Sequence, residues 1–154
     1  MFYGEHEHSI DRKGRLIIPS KFREVSKDNY VERFCVTRGL DSCLFVFTED
    51  EWRRQESKFK SLPLTSGEAR RFNRLYFSGA CEVACDKQGR ILIPQYLKEF
   101  ASIKSEVVIV GVSSRMEIWA RDKWRAFYGD TKDSFEKIAE NIFNGGEPSG
   151  SPGT

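Results

Sequence analysis

The sequence has no apolar run near the ~18 residues that a membrane-crossing helix requires, so no membrane-spanning helix is expected within it. Its opening MFYGEHEH has neither a basic n-region nor an apolar h-region, so it reads as something other than a signal peptide, and a cytosolic chain is expected. Four cysteines (Cys35, Cys43, Cys81 and Cys85) include no Cys-x-x-Cys pair, so zinc-ligand spacing is not met. They are expected to be reduced, buried thiols. Charge of one sign is also missing. Twenty-five basic residues face 23 acidic ones for a net charge of +2, so any basic footprint must be local. No Gly-rich phosphate loop, no His-Glu-x-x-His motif and no nucleophile–His–Asp order occurs. No enzyme and no cofactor are expected.

What is present is an ordinary globular composition, 39% apolar and 31% charged over 154 residues, and a repeat. DRKGRLIIPSKFRE, 11–24, returns as DKQGRILIPQYLKE, 86–99. At a separation of 75 residues Asp, Gly, Arg, Ile, Pro and Glu recur; further on Gly39 meets Gly111 and Trp52 meets Trp124 at 72. The chain is a tandem duplication with a small deletion between copies.

Each copy reads as strand, turn, strand, short helix and two further strands. Asp-x-x-Gly fits a type I turn with Asp first and Gly last, and Gly14 and Gly89 supply the positive φ that rejoins the next strand. Pro19 and Pro94 end that strand, because proline has no N–H for the ladder. The short helix after each proline carries apolar residues three apart, Phe22 and Val25, then Leu97 and Phe100. Thr48-x-x-Glu51 and Thr65-x-x-Glu68 read as capping boxes. The second opens a helix with Phe72, Leu75 and Tyr76 on one face and Arg70, Arg71 and Arg74 on the other. Phe135, Ile138, Ala139, Ile142 and Phe143 keep helical spacing, while GGEPSGSPGT has nothing to bury and reads as a disordered tail.

The expected organisation is therefore a first repeat over 1–64, a linker helix over 65–80, a second repeat over 81–129, a C-terminal helix over 130–144 and a tail over 145–154. One copy of short strands cannot bury its own apolar faces. The two are expected to interlock as a β-rich α+β fold, a pseudo-two-fold barrel with helices attached.

Two readings fit the turn. In one, Asp11 accepts turn N–H groups and pairs with Arg15, a structural staple that Asp86 and Arg90 repeat. In the other, Arg12, Lys13 and Arg15 form a cationic ribbon tip that enters a DNA major groove, with Arg bridging guanine O6 and N7. His6 and His8 share a strand face but lack a third well-placed ligand, so solvated edge residues are expected rather than a metal site. Asp11 and Asp86 each face an Arg, which keeps them ionised and unsuited to acid catalysis.

The segments MFYGE, SIDRKGRLIIPSKFRE, VTRGLDSCLFVF, RLYFSGACEVACDKQGRILIP and EIWARDKW together resemble the MraZ family of bacterial transcriptional regulators. The resemblance runs from Met1 to about Asn144. It omits the tail and the loop from Asp28 to Arg33. It implies a fold related to the AbrB-type swapped-hairpin barrel, with two halves fused in one chain. It also implies a ring-shaped homo-oligomer in the cytoplasm, associated with the nucleoid. Such an oligomer would bind short G-rich direct repeats of double-stranded DNA upstream of its own gene, at the head of the division and cell-wall cluster. The Asp-x-x-x-Arg motif, the family's DNA-binding element, falls here on Asp11 to Arg15 and Asp86 to Arg90. The expected DNA contacts are Arg12, Lys13, Arg15, Lys87 and Arg90; Asp11, Gly14, Asp86 and Gly89 shape the turns. Because the first tip reads Arg-Lys and the second Lys-Gln, the first copy is expected to be the principal contact. The rival reading is an AbrB-like antitoxin or other protein-binding module.

Overall fold

The computed structural model describes residues 1–26, 29–30 and 33–145. It divides into two units, Met1–Arg121 and Asp122–Thr154.

The first unit holds the strands of both copies of the repeat. Strand β1 (Phe2–Ser9) leads through the first turn to β2 (Arg15–Ile17), helix α1 (Ser20–Arg23) and a small pair, β3 (Glu24–Ser26) with β4 (Asn29–Tyr30). Strands β5 (Arg33–Arg38) and β6 (Leu44–Thr48) follow, then helices α2 (Glu49–Lys60) and α3 (Gly67–Ser78). The second copy supplies β7 (Cys81–Ala84), β8 (Arg90–Leu92), α4 (Gln95–Phe100), β9 (Glu106–Ser113) and β10 (Arg115–Ala120).

The copies exchange strands. Six strands form one antiparallel sheet in the order β1-β9-β10-β6-β5-β7. The first strand of each copy therefore pairs with the other copy, and exchanging the copies reverses the order onto itself. The register obeys the same symmetry. Leu16 lies opposite Ile91 in the separate β2–β8 ribbon, and Phe45 lies opposite Glu117 between β6 and β10. Each is a pair of equivalent positions, so a local two-fold passes through both. The β-rich α+β class and the interlocked tandem copies are as expected. The sheet itself is open, not a closed barrel: among the described residues β1 and β7 form its two edges.

Burial explains the exchange. Leu16, Ile18, Phe22, Val36, Leu44 and Val46 of the first copy share one cluster with Ile91, Ile93, Leu97, Ile109, Met116 and Ile118 of the second. Each fully buried aliphatic is worth ~1.5–3 kcal/mol, a gain that neither copy could collect from its own short strands.

Five local expectations shift. Helix α3 is capped by Ser66, whose hydroxyl accepts from Ala69 N–H, not by Thr65. Its inward face includes Phe77, which packs on Trp52 at 5.6 Å, whereas Leu75 is exposed. The face turns because Trp52, Phe59, Phe72 and Tyr76 make an aromatic cluster between α2 and α3. Phe100 also remains partly exposed, and Val25 falls in β3 beyond the short helix. Two of the four cysteines, Cys35 and Cys43, are buried, while Cys81 and Cys85 are only half-buried.

The second unit contains α5 (Arg121–Thr131) from Asp122 onward, a single 3-10 turn (Lys132–Ser134) and α6 (Phe135–Phe143). Trp124 packs against Phe127 at 5.4 Å. The expected helical stripe is present, with Phe135, Ile142 and Phe143 exposed along α6. The expected disordered tail, from 146 onward, lies outside the described residues, as do 28, 31 and 32 of the loop that the resemblance omits.

Candidate nucleic-acid interface

The two turns are built alike. Gly14 N–H donates to the Asp11 carbonyl at 3.0 Å, and Asp11 N–H to the Arg15 carbonyl at 3.0 Å. The Asp11 side chain closes the loop: Oδ1 accepts from Lys13 N–H and Arg15 N–H, both at 2.9 Å. Oδ2 accepts from Arg15 Nε at 2.8 Å. In the second copy Asp86 Oδ1 accepts from Gln88 N–H and Arg90 N–H at 2.9 Å, and Oδ2 from Arg90 Nε at 2.8 Å. Gly14 at φ +83° and Gly89 at φ +77° occupy the left-handed positions that only glycine adopts freely.

This hydrogen bonding holds both carboxyls below their usual 3.8. The main cause is the backbone N–H of Arg15 for Asp11 and of Arg90 for Asp86, with the guanidinium adding to it. Both stay ionised at neutral pH, and each accepts from the arginine of its own turn. The staple uses only Nε. Among the described residues no hydrogen bond takes the Nη nitrogens of Arg15 or Arg90, and both side chains stay partly open to solvent. A guanidinium fixed by one edge and free at its fork is prepared for a planar two-acceptor partner.

The ribbon places the two arginines on one face. Arg15 lies opposite Leu92 and Arg90 opposite Ile17, so the arginines are diagonal neighbours on one face, with Cα atoms ~7–8 Å apart. Leu16 and Ile91 point the other way, into the core. The ribbon extends into each turn: Ile93 N–H donates to Gly14 O at 2.8 Å, and Ile18 N–H to Gly89 O at 3.0 Å. Arg12, Lys13, Lys87 and Gln88 stand exposed at the tips, one pair at each end.

Two further cations join from across the copies, and the turn motif does not announce them. Arg23, at the end of α1, donates from Nε to the Ile18 carbonyl at 3.1 Å and lies directly over Gly89. Lys98 of α4 reaches Gly14, its Nζ 3.8 Å from where a Cβ there would sit. Arg23 and Lys98 are equivalent positions of the repeat. Their shared basic character was the available signal, but which turn each reaches depends on the strand exchange.

Elsewhere the chemistry is quiet. His6 packs edge-on to Phe22 at 5.1 Å, and among the described residues no cluster of three or more His, Cys, Asp or Glu could hold a metal. Burial pushes the Cys35 thiol up to about 12 and raises Cys43 further, which makes both inert. No helix among the described residues is long and apolar enough to cross a membrane.

Strand exchange between tandem copies, with a stapled arginine at each hairpin, defines a duplicated, strand-swapped α+β protein. The family model described as "MraZ protein, putative antitoxin-like" matches the chain twice, over residues 1–75 and 76–145. The chain belongs to the MraZ family, a regulator-type, non-enzymatic family.

Proposed function

We propose that this chain is a sequence-specific DNA-binding transcriptional regulator that reads short G-rich direct repeats upstream of its own gene, at the division and cell-wall cluster. Arg15 and Arg90 take guanine O6 and N7 with their free Nη edges, the commonest specific major-groove contact. Lys13, Arg12 and Lys87 hold the flanking phosphates. The observation that carries the reading is the pinned Nε with open Nη on a two-stranded ribbon, present twice on one face. The chain acts as a homo-oligomer, a ring, so that several ribbons engage successive repeats. The exposed Phe135, Ile142 and Phe143 of α6 supply apolar surface for such assembly. Its place of action is the nucleoid, in the cytoplasm.

An electrophoretic shift with the duplex upstream of its own gene tests the proposal. A shift that survives excess unrelated DNA is expected; equal competition by unrelated DNA would remove it. The antitoxin-like description of the family supports a second reading, in which the fold docks a partner protein and DNA binding is secondary. Co-purification of one stoichiometric small protein, with no selective shift, would favour that reading.

A further inference from the structure

Two large apolar side chains on the ribbon's outer face are left unexplained by packing. Alternate residues of a strand face opposite ways, and here Leu16 and Ile91 are buried at 0% and 1% exposure. Ile17 and Leu92 remain 46% and 54% exposed. Each lies directly opposite a stapled arginine, Ile17 beside Arg90 and Leu92 beside Arg15. Cations surround the pair: Arg12, Lys13 and Lys98 at one end, Lys87 and Arg23 at the other.

An apolar centre inside a cationic rim suits a ligand with anionic walls and apolar points between them. The DNA major groove has that character, with phosphates along both edges and the C5-methyl of thymine as the apolar group on its floor. Spacing agrees. Residues paired across an antiparallel ribbon have Cα atoms ~4.5–5.5 Å apart, between one and two steps of the ~3.4 Å base rise.

We infer that Ile17 and Leu92 are specificity-determining residues that contact thymine C5-methyl groups one or two base pairs from the guanines taken by Arg90 and Arg15. The inference rests on the DNA-binding reading above and adds a thymine requirement that the arginines cannot impose.

The test compares two duplexes. One is the sequence that the wild-type chain enriches from a random pool; the other is the same sequence with every thymine replaced by deoxyuridine, which deletes only the methyl. Wild type is expected to bind the deoxyuridine duplex more weakly, about fourfold for each methyl buried. The double variant Ile17→Ala/Leu92→Ala should bind both duplexes alike. Lys13→Ala should weaken both and keep their ratio. If the double variant does not fold, as judged by its melting curve, Ile17→Thr and Leu92→Gln made singly should each lower the ratio. Equal wild-type affinities, or an unchanged ratio in folded variants, would overturn the inference while leaving DNA binding intact. Enrichment of no sequence at all would overturn both.

Discussion

Arg15 Nε donates to Asp11 Oδ2 at 2.8 Å, and 75 residues later Arg90 repeats the bond to Asp86 at the same length. In neither pair does the arginine hold the turn together alone. Asp11 Oδ1 still accepts two backbone N–H bonds if the guanidinium is removed, and so does Asp86 Oδ1. That separation of tasks makes the arginines testable, since a staple and a reader respond differently to substitution.

Arg15→Ala should abolish specific binding, with ~1–3 kcal/mol lost for each guanine contact and multiplied over the subunits engaged. The partly exposed ion pair is screened by water and adds little to folding, so the melting temperature should fall only slightly. Arg15→Lys should fail nearly as badly, because an ammonium lacks the planar fork. A folded Arg15→Ala protein with undiminished affinity for its selected duplex would refute the reader role.

Arg90→Ala should cost less binding than Arg15→Ala. The staples are the same, so the difference has to come from the tips, where Lys87 and Gln88 replace Arg12 and Lys13. A greater loss from Arg90→Ala would move the principal contact to the second copy.

Lys13→Ala addresses the electrostatic part. An exposed lysine that neutralises one phosphate should, when removed, weaken all duplexes alike and lower the salt dependence by about one counterion per engaged subunit. An unchanged salt slope would mean that Lys13 is merely solvated.

Most of what depends on near neighbours is legible in the sequence, although the cap of α3 falls on Ser66 rather than Thr65. Asp11, Gly14 and Arg15 define their turn within five residues, and the structure adds distances without changing the geometry. The same holds for Thr48, whose hydroxyl accepts from Glu51 N–H at 3.3 Å. Less legible was whatever depends on partners distant in the chain. Leu75 and Phe77 compete for the inward face of α3, and Trp52, from another helix, decides in favour of Phe77. Arg23 reaches Gly89, rather than its own copy's Gly14, because the first strands are exchanged. Periodicity within one copy contains neither fact. The paired arginines were visible as residues, but the freedom of their Nη atoms needed coordinates.

His6 gives the fold a pH dependence. Burial, then the charges of Lys21 and His8, lower its pKa from the ordinary 6.5, and among the described residues its Nε2 has no hydrogen-bond partner. As pH falls the unfolded chain takes up this proton first, so His6 favours the folded state fully above 6.5 and progressively less below it. The melting temperature should therefore drop as pH falls below 6.5, and His6→Phe should flatten that drop. Asp11 and Asp86 do not interfere. Their lowered values place the loss of their contribution below 3.8, in a separate acid window. An equal slope in His6→Phe would assign the dependence to another group.

The turn glycines should differ in a direction opposite to their crowding. A Cβ on Gly89 would lie 2.5 Å from Arg23 Cζ, whereas a Cβ on Gly14 would lie 3.0 Å from the Ile93 carbonyl oxygen. Both substitutions incur the cost of a left-handed backbone, ~1–2 kcal/mol. Beyond that the obstacles are unlike. Arg23 meets that Cβ with the far end of a flexible side chain, which can swing away and give up its bond to Ile18 O among its contacts. The Ile93 carbonyl belongs to a backbone segment whose own N–H bonds Gly14 O at 2.8 Å, so moving it disturbs the join between the copies. Gly14→Ala should thus lower the melting temperature more than Gly89→Ala. Gly89→Ala should instead reduce DNA affinity out of proportion to its effect on stability, because it displaces Arg23 from beside the second tip. Paired melting and binding curves on the two variants decide the matter. If Gly89→Ala is the less stable protein, the contacts of Arg23, the bond to Ile18 O among them, hold it too firmly over that turn for it to swing away.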